Sequence, residues 1–182
     1  MLKKNKIIAI IPARSGSKEV KNKNLQTIGN QSLIARVSKL ISEISIIDYA
    51  HISTDSKKIM LEGKKYGIFS TRYRPKKLSG DRISAIDVWK FEWEQAEKLN
   101  KTKYDIGVYL EPTCLLRKSI HVIKCLRKLL SSSDYSAVHT VNKIDPKHHP
   151  YKKMKLNNKY LAFYDEKGKD FICRQDLEVL YE

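Results

Sequence analysis

Cysteine is scarce in this chain, and the few cysteines show no pairing pattern. The 182 residues include three, Cys114, Cys125 and Cys173, and none of them forms a CxxC pair. An odd number without metal-ligand spacing indicates buried or free thiols in a reducing compartment, rather than disulfides or a zinc site.

Long apolar runs are also missing. No run approaches the roughly 20 residues that a membrane-spanning helix needs. The basic N-terminus, MLKKNK, leads into the short apolar stretch from Ile7 to Ile11, which is too short for the core of a secretory signal. With 41% apolar and 31% charged residues, we expect a soluble cytoplasmic protein in which residues 1–182 form a single domain.

Acidic residues are few relative to basic ones. The chain has 36 Lys and Arg against 20 Asp and Glu, which gives a formal net charge of +16. Such an excess occurs in nucleic-acid-binding proteins, but no zinc-finger or RNA-binding motif accompanies the lysines here. We therefore favour lysines spread over helix faces and loops, where they would help attract anionic substrates, and keep nucleic acid as the alternative partner.

Strand-like and helix-like segments alternate along the first 141 residues. Apolar stretches predict strands over 7–11, 49–53, 68–71, 106–110 and 136–141, and helical spacing predicts helices over 32–44, 56–66, 84–99 and 119–130. Gly67 is a predicted stop for the second helix. The alternation predicts an α/β fold, a mostly parallel sheet with helices on both faces. Residues 143–170, with turn signals at Asn157–Asn158 and Lys167–Gly168, predict a β-rich excursion that acts as a lid or an oligomerisation arm.

A cation-rich loop follows the first predicted strand, where ligands bind in such sheets. It contains Arg14, Ser17 and Lys18, with Lys23 and Asn24 at its end. Small residues let backbone N–H groups approach phosphate oxygens, and the cations neutralise phosphate charge. Neither GxxxxGK[ST] nor GxGxxG spacing is present, so phosphate binding stands beside the alternative of an ordinary surface loop.

Other polar and aromatic residues have simpler explanations than a binding site. Thr54 and Asp55 fit the N-cap of the following helix. Trp89 and Trp93, one helical turn apart, fit the core better than a binding platform.

Histidine and arginine candidates are similarly ambiguous when taken singly. His148 and His149 invite a metal site, but no third ligand stands at the required spacing. Arg74 fits a solvated turn, and Arg174 fits the surface.

In their order along the chain, however, the motifs resemble the acylneuraminate cytidylyltransferase family, the CMP-sialic acid synthetases and their relatives acting on legionaminic or pseudaminic acid. The resemblance extends from Ile7 to Tyr181 and is carried by IIAIIPARSGSK, KNKNL, HISTDS, RPKKLSGD, LEPTCLLR, HHP and RQDLEVLYE.

This resemblance implies a reaction. The anomeric hydroxyl of a nonulosonic acid attacks the α-phosphorus of CTP, giving a CMP-sugar and pyrophosphate for cell-surface glycans such as lipopolysaccharide. Mg²⁺ and cationic side chains would stabilise the phosphate charge. A Rossmann-like nucleotidyltransferase domain and a homodimer, formed through residues 143–170, are implied with it.

The resemblance also assigns roles to particular residues. Arg14 and Lys23 would be catalytic, Arg74 would read the cytosine, and Glu111 would stand near the junction of sugar and nucleotide. Arg174, with Gln175 beside it, would bind the sugar carboxylate through a bidentate guanidinium contact. The residues that would surround the triphosphate are Arg14, Ser17, Lys18, Lys23 and Asn24.

The sequence departs from the family pattern at three points. Glu19 stands where a glycine is usual, and PTCLLR lacks one proline of the family's PTSPLR. Family members continue past the RQ segment to a pair of metal-binding aspartates, so no metal ligand is assigned in this chain, which ends at Glu182. A truncated, inactive family member is therefore one alternative, and a basic nucleic-acid-binding α/β protein is another.

Overall fold

The computed structural model describes residues 5–171 and 173–182, with the backbone alone at Arg174. The chain divides into two compact units, one ending at Val138 and the other spanning His139–Glu182. Across the described residues, no helix is both long and apolar enough to cross a membrane.

A three-stranded parallel sheet forms the centre of the first unit. Its strands are ordered β4-β1-β5, so that Ile10 of β1 lies between His51 of β4 and Tyr109 of β5. A short antiparallel pair, β2 and β3, precedes the first helix. The elements of this unit are β1 (Ile7–Pro12), β2 (Thr27–Ile28), β3 (Gln31–Ser32), α1 (Leu33–Ser42), β4 (Tyr49–Ser53), α2 (Lys57–Lys64), α3 (Ala85–Asn100), β5 (Ile106–Tyr109) and α4 (Ser119–Leu129).

The apolar run of β1 is buried because helices cover both faces of the sheet. Ile7, Ala9 and Ile11 pack in one cluster with residues of α1, α2 and α4. Ile8 and Ile10 point the other way and pack with residues of α3. Successive side chains of a strand point to opposite faces, so a strand covered on both sides is a continuous apolar run. The predicted α/β fold with helices on both faces is confirmed.

Helix α2 ends at the predicted glycine, and this ending explains why the predicted strand 68–71 is absent. Gly67 has a φ of 74° and donates to the Lys64 carbonyl, while Ile68 donates to the Gly63 carbonyl. These two bonds are those of a Schellman-type helix end. The prediction of a strand over 68–71 is wrong: Ile68 belongs to the helix end, and no described strand pairs with this segment.

The predicted strand 136–141 is also absent. Strand pairing in this region begins later, within the second unit, where Asn142 and Glu182 exchange backbone hydrogen bonds of 2.8 and 2.9 Å. Lys143 forms an isolated antiparallel bridge with Tyr181. The apolar residues of 136–141 therefore precede the pairing and lie outside it.

The second unit contains the predicted hairpin. β6 (Met154–Asn157) pairs antiparallel with β7 (Tyr160–Phe163), and Asn158 occupies the left-handed region with φ 54° in the turn. The other predicted turn, at Lys167–Gly168, lies in the 3-10 helix Glu166–Asp170. The described residues of this unit thus contain one hairpin, one isolated antiparallel bridge and several short 3-10 helices.

Candidate active site

A cleft of about 540 Å³ lies beyond the carboxyl ends of β1 and β5. Pro12, the last residue of β1, and Tyr109, the last residue of β5, both line it. Its lining also includes seven of the nine residues that the sequence singled out, namely Arg14, Ser17, Lys18, Lys23, Asn24, Arg74 and Glu111. The fold therefore gathers residues from three separate segments of the chain, within 12–24, 74–88 and 109–113, at one place.

The loop after β1 is held in shape from the end of β4. The Asp55 carboxylate accepts hydrogen bonds from the Ser15 backbone N–H at 2.8 Å and from the Ser15 hydroxyl at 2.9 Å. Asn24, which is buried, donates its side-chain amide to the Arg14 carbonyl at 3.1 Å. Both contacts fix the backbone that carries Arg14.

Asp55 is not the helix cap that its position suggested. Thr54 Oγ accepts from the Ser56 backbone N–H at 3.1 Å, which fits a cap-like turn. The Asp55 carboxylate instead crosses to the loop after β1. That tertiary contact is invisible in the sequence, because a cap and a loop anchor use the same residue type at the same place.

Two cations of the loop share one acidic partner that the sequence did not single out. The Asp81 carboxylate lies 2.5 Å from Arg14 Nη1 and 2.5 Å from Lys18 Nζ. The hydrogen bond from Lys18, followed by that from Arg14, lowers the pKa of Asp81, so the carboxylate is ionised at neutral pH. Asp81 closes the RPKKLSGD motif, and that position was the one available signal.

Arg74 is a buried cation whose donors are mostly committed to β4. Its Nε donates to Ser53 Oγ at 2.8 Å, its Nη2 donates to the Ser53 carbonyl at 2.6 Å, and its backbone N–H donates to the Thr54 carbonyl at 2.7 Å. Burial lowers the pKa of Arg74, and the charge of Glu92 opposes that shift. An arginine stays protonated at neutral pH, so Arg74 brings a fixed positive charge to the cleft.

Behind Arg74 lies a buried carboxylate from α3. Glu92 is 2% exposed and accepts from Ser53 Oγ at 2.7 Å and from Arg72 Nη2 at 2.6 Å, and it lies 3.3 Å from His51 Nε2. Burial pushes the pKa of Glu92 upward, but the hydrogen bonds of His51 and Ser53 and the charge of Arg72 outweigh it, and the pKa is lowered. Sequence reasoning missed this group because its partners lie on β4 and on the loop at Arg72, far from α3 along the chain.

The acidic residues of the lining include Glu19, which departs from the family pattern, and Glu111. Glu19 lines the cleft and is exposed. The non-glycine residues with positive φ in the described chain are Asn22, Lys101 and Asn158, so Glu19 needs no glycine-like backbone angle. Glu111 also faces the cleft, and its carbonyl accepts from Arg117 Nη1 at 3.0 Å, which shapes the loop after β5.

The two remaining predicted residues belong to the second unit. Arg174 and Gln175 lie in the 3-10 helix Arg174–Asp176. Gln175 is exposed, and the Arg174 side chain lies outside the described part of the structure.

The described residues do not assemble a metal site. Among them, no three His, Cys, Asp or Glu side chains come together in a way that could hold an ion. Asp81 is already paired with two cations. His149 is buried, and its Nδ1 accepts from the Tyr151 backbone N–H at 3.2 Å. The Mg²⁺ that the resemblance implies therefore has no preformed protein cage here.

The fold and the cleft define an α/β protein with a cationic site at the carboxyl edge of its sheet, as nucleotide-binding proteins have. The family model described as cytidylyltransferase matches residues 8–178. The chain belongs to this family, and the resemblance drawn from its motifs is confirmed.

Individual relatives of the chain also carry cytidylyltransferase names. The chain is 30% identical to an N-acylneuraminate cytidylyltransferase of Escherichia coli over 77% of its own length and 32% of the relative's. It is 28% identical to a bifunctional Helicobacter pylori protein, a pseudaminic acid cytidylyltransferase and UDP-sugar hydrolase, over 96% of its own length and 32% of the relative's. The chain thus spans about a third of these two curated relatives.

A solved structure supports the fold. CMP:2-keto-3-deoxy-manno-octonic acid synthetase, in complex with CTP, superposes with a TM-score of 0.59 at 18% identity. The match covers 91% of this chain and 69% of that one.

Proposed function

We propose that the protein is a nucleotidyltransferase that transfers CMP from CTP to a nonulosonic acid. The observation that carries the proposal is the cleft, which collects seven residues that the motifs and their resemblance to the family had singled out. The relatives support it by their names, which specify acylneuraminate and pseudaminic acid as substrates.

The triphosphate would bind to the loop after β1. Arg14, Lys18 and Lys23 supply positive charge there, and Ser17 supplies a small hydroxyl residue. In the reaction, the sugar hydroxyl oxygen forms a bond to the α-phosphorus, the bond to the β-phosphate bridging oxygen breaks, and pyrophosphate leaves while the hydroxyl loses its proton. Negative charge grows on the leaving phosphates, so Arg14 and Lys23 would stabilise the transition state more than the bound substrate.

The base and the sugar acid would be recognised by other residues. Arg74 offers N–H donors, which match the O2 and N3 acceptors of cytosine. Glu111 lies in the same cleft and would contact the sugar near the reacting oxygen. Arg174 and Gln175 are the candidates for the sugar carboxylate, because a guanidinium suits a carboxylate ligand.

Magnesium would arrive with the nucleotide. Mg²⁺ commonly keeps several waters and binds through substrate phosphates and one or two carboxylates. That mode fits a cleft whose described residues form no preformed cage, and Glu111, which lines the cleft together with Glu19 and Asp81, would supply a carboxylate. When bound, the ion would neutralise phosphate charge.

The proposal extends to the state of the protein in the cell. CTP is an intracellular nucleotide, so the reaction belongs in the cytoplasm. A homodimer formed through the β6–β7 hairpin is the assembly that we infer, since Leu156 and Leu161 stand opposite each other on the hairpin and are 72% and 66% exposed.

Calorimetry with CTP and a pyrophosphate-release assay with several sialic-type acids test the proposal. We expect CTP to bind, and Lys23→Ala to weaken binding about tenfold because a charge-assisted contact to phosphate is lost. Lys39→Ala, which removes an exposed lysine of α1 outside the cleft, should leave binding unchanged. A folded protein that binds no CTP would refute the proposal, and binding without turnover on any sugar acid would refute its transferase part.

A further inference from the structure

We propose that Glu92 is a positioning residue for nucleotide recognition. It acts through the Ser53 hydroxyl on the guanidinium of Arg74, which lines the cleft. The inference deepens the proposed function and rests on it, because it assumes that the cleft receives CTP.

The Ser53 hydroxyl has a fixed direction because it lies between Glu92 and Arg74. An ionised carboxylate only accepts hydrogen bonds, so Ser53 Oγ must donate its single proton to Glu92 Oε1, 2.7 Å away. The hydroxyl oxygen is then left as an acceptor, and Arg74 Nε donates to it at 2.8 Å. Glu92 therefore fixes the rotation of the Ser53 hydroxyl, so that its lone pairs face Arg74 Nε.

The orientation of the Arg74 guanidinium is fixed by its bonds to Ser53. With Nε on Ser53 Oγ and Nη2 on the Ser53 carbonyl, two of the three guanidinium nitrogens are fixed on β4. Nη1 has no hydrogen-bond partner within the described ranges, and the side chain lines the cleft while being only 6% exposed. The planar guanidinium cannot rotate without breaking both bonds, so Nη1 is held for a ligand.

Burying the Glu92 carboxylate costs desolvation free energy, which its partners must offset. Desolvating a carboxylate costs several kcal/mol unless charged and hydrogen-bonding partners compensate it. Here Arg72 and His51 bind Oε2, so that Oε1 remains for Ser53. Val88 and Ala96, one helical turn before and after Glu92 on α3, are also buried, so Glu92 is the charged residue among the buried residues of this helix. The buried carboxylate is thus compensated on one oxygen, and its other oxygen is directed at Ser53.

The consequence is base discrimination. Nη1 carries two N–H donors, and cytosine presents acceptors at both O2 and N3. Uracil presents O2, but its N3 carries a proton and cannot accept. A fixed Arg74 should therefore favour CTP over UTP, and a loosened Arg74 should lose that preference.

The experiment compares CTP and UTP binding by calorimetry in the full chain. Glu92→Gln and Ser53→Ala are expected to weaken CTP binding about tenfold while changing UTP binding less than twofold. Glu94→Gln, an exposed substitution on the same helix, is the matched control and should behave as the wild type. In an Arg74→Ala background, Glu92→Gln should have no further effect on CTP binding.

Two results would contradict a positioning role for Glu92. If Glu92→Gln and Ser53→Ala keep the wild-type ratio of CTP to UTP affinity, or if Glu92→Gln still weakens CTP binding in the Arg74→Ala background, Glu92 is only structural and the inference is wrong. Should Glu92→Gln fail to fold, Ser53→Ala decides, since it removes one oxygen from the same chain of bonds. A wild-type protein that binds no CTP overturns the proposed function and this inference together.

Discussion

Asp81 shows how single residues prepare the cleft for an anionic ligand. Its carboxylate pairs with both Arg14 and Lys18, and the distances of 2.5 Å leave no room for a phosphate between the carboxylate and either cation. A triphosphate must therefore compete with Asp81 for the same two cations. The carboxylate holds the two cations in place, but it also makes the binding of phosphate to them less favourable.

The Asp81→Asn substitution should tighten pyrophosphate binding about threefold. Loss of a negative charge beside an exposed, solvent-screened anion site changes the affinity only slightly. Asp134→Asn changes the net charge equally at an exposed position outside the cleft lining, and it should leave the affinity unchanged. Titration calorimetry with pyrophosphate measures both, and equal or weaker binding by Asp81→Asn would show that Asp81 organises the site more than it competes.

Glu92 should leave its mark on stability at acid pH. Its pKa in the folded protein is lower than the ordinary 4.5, so the stability it contributes is present above about pH 4.5 and is lost as the pH falls through the folded-state pKa. Replacement by glutamine removes this term and should cost about 3 kcal/mol at pH 7. Urea unfolding should show the gap between wild type and Glu92→Gln narrowing below pH 4.5, and a gap independent of pH would contradict an ionised Glu92.

At the scale of elements, β5 packs against α3 at a glycine. A Cβ on Gly107 would come within 2.1 Å of Trp93 Cζ3 and 2.3 Å of Trp89 Cζ2. The indoles meet edge to face, with centroids 5.1 Å apart, and form part of the cluster around Ile8 and Ile10. The expectation that the tryptophans belong to the core is confirmed, and Gly107 provides the space for them.

Gly107→Ala should lower the free energy of unfolding by about 2 to 3 kcal/mol, because the added methyl overpacks a rigid contact. Gly80→Ala is the matched control, since its nearest heavy atom would lie 3.5 Å away, at Ile83 Cγ1. The double variant Gly107→Ala with Trp93→Phe should recover part of the loss in urea unfolding. Equal stability of Gly107→Ala and wild type would mean that the sheet and α3 shift apart cheaply.

The sequence predicted correctly those helices and strands whose own residues show a clear apolar spacing. β1, β4 and the four helices follow from apolar spacing, and the end of α2 follows from Gly67. Segments 68–71 and 136–141 have strand-like composition but no strand partner among the described residues, and composition cannot supply one. The loop after β1 was predicted from its own residues, whereas its anchor Asp55 and the buried Glu92 act through contacts between distant segments.

At the scale of the whole molecule, the net charge of +16 is compatible with two hypotheses, a CTP-binding enzyme and a nucleic-acid-binding protein. Salt dependence distinguishes them. Diffuse positive charge attracts any polyanion, but a built site holds its ligand through defined bonds. We expect CTP affinity to fall only modestly between 50 and about 200 mM salt, because a few cations meet the phosphates. A basic nucleic-acid-binding protein would instead lose about a thousandfold in affinity for duplex over that range. Tight, steeply salt-dependent duplex binding without CTP binding would favour the alternative.

Assembly is the remaining property of the whole molecule, and the β6–β7 hairpin is the place to test it. Met154 and Leu156 lie on the hairpin face that also carries Leu161, because directly paired residues of an antiparallel ladder share a face. An isolated two-stranded hairpin with such a face is marginal in water, so a second copy would gain by covering it.

Light scattering on the wild type should therefore give twice the chain mass of 21.1 kDa. Leu156→Glu should shift that mass to the monomer, because a carboxylate buried in the pairing face costs several kcal/mol. Lys155→Gln changes the charge by the same amount on the opposite face of the hairpin and should keep the dimer. A wild-type monomer at micromolar concentration would refute the homodimer, and a dimer that survives Leu156→Glu would place the contact on a different surface.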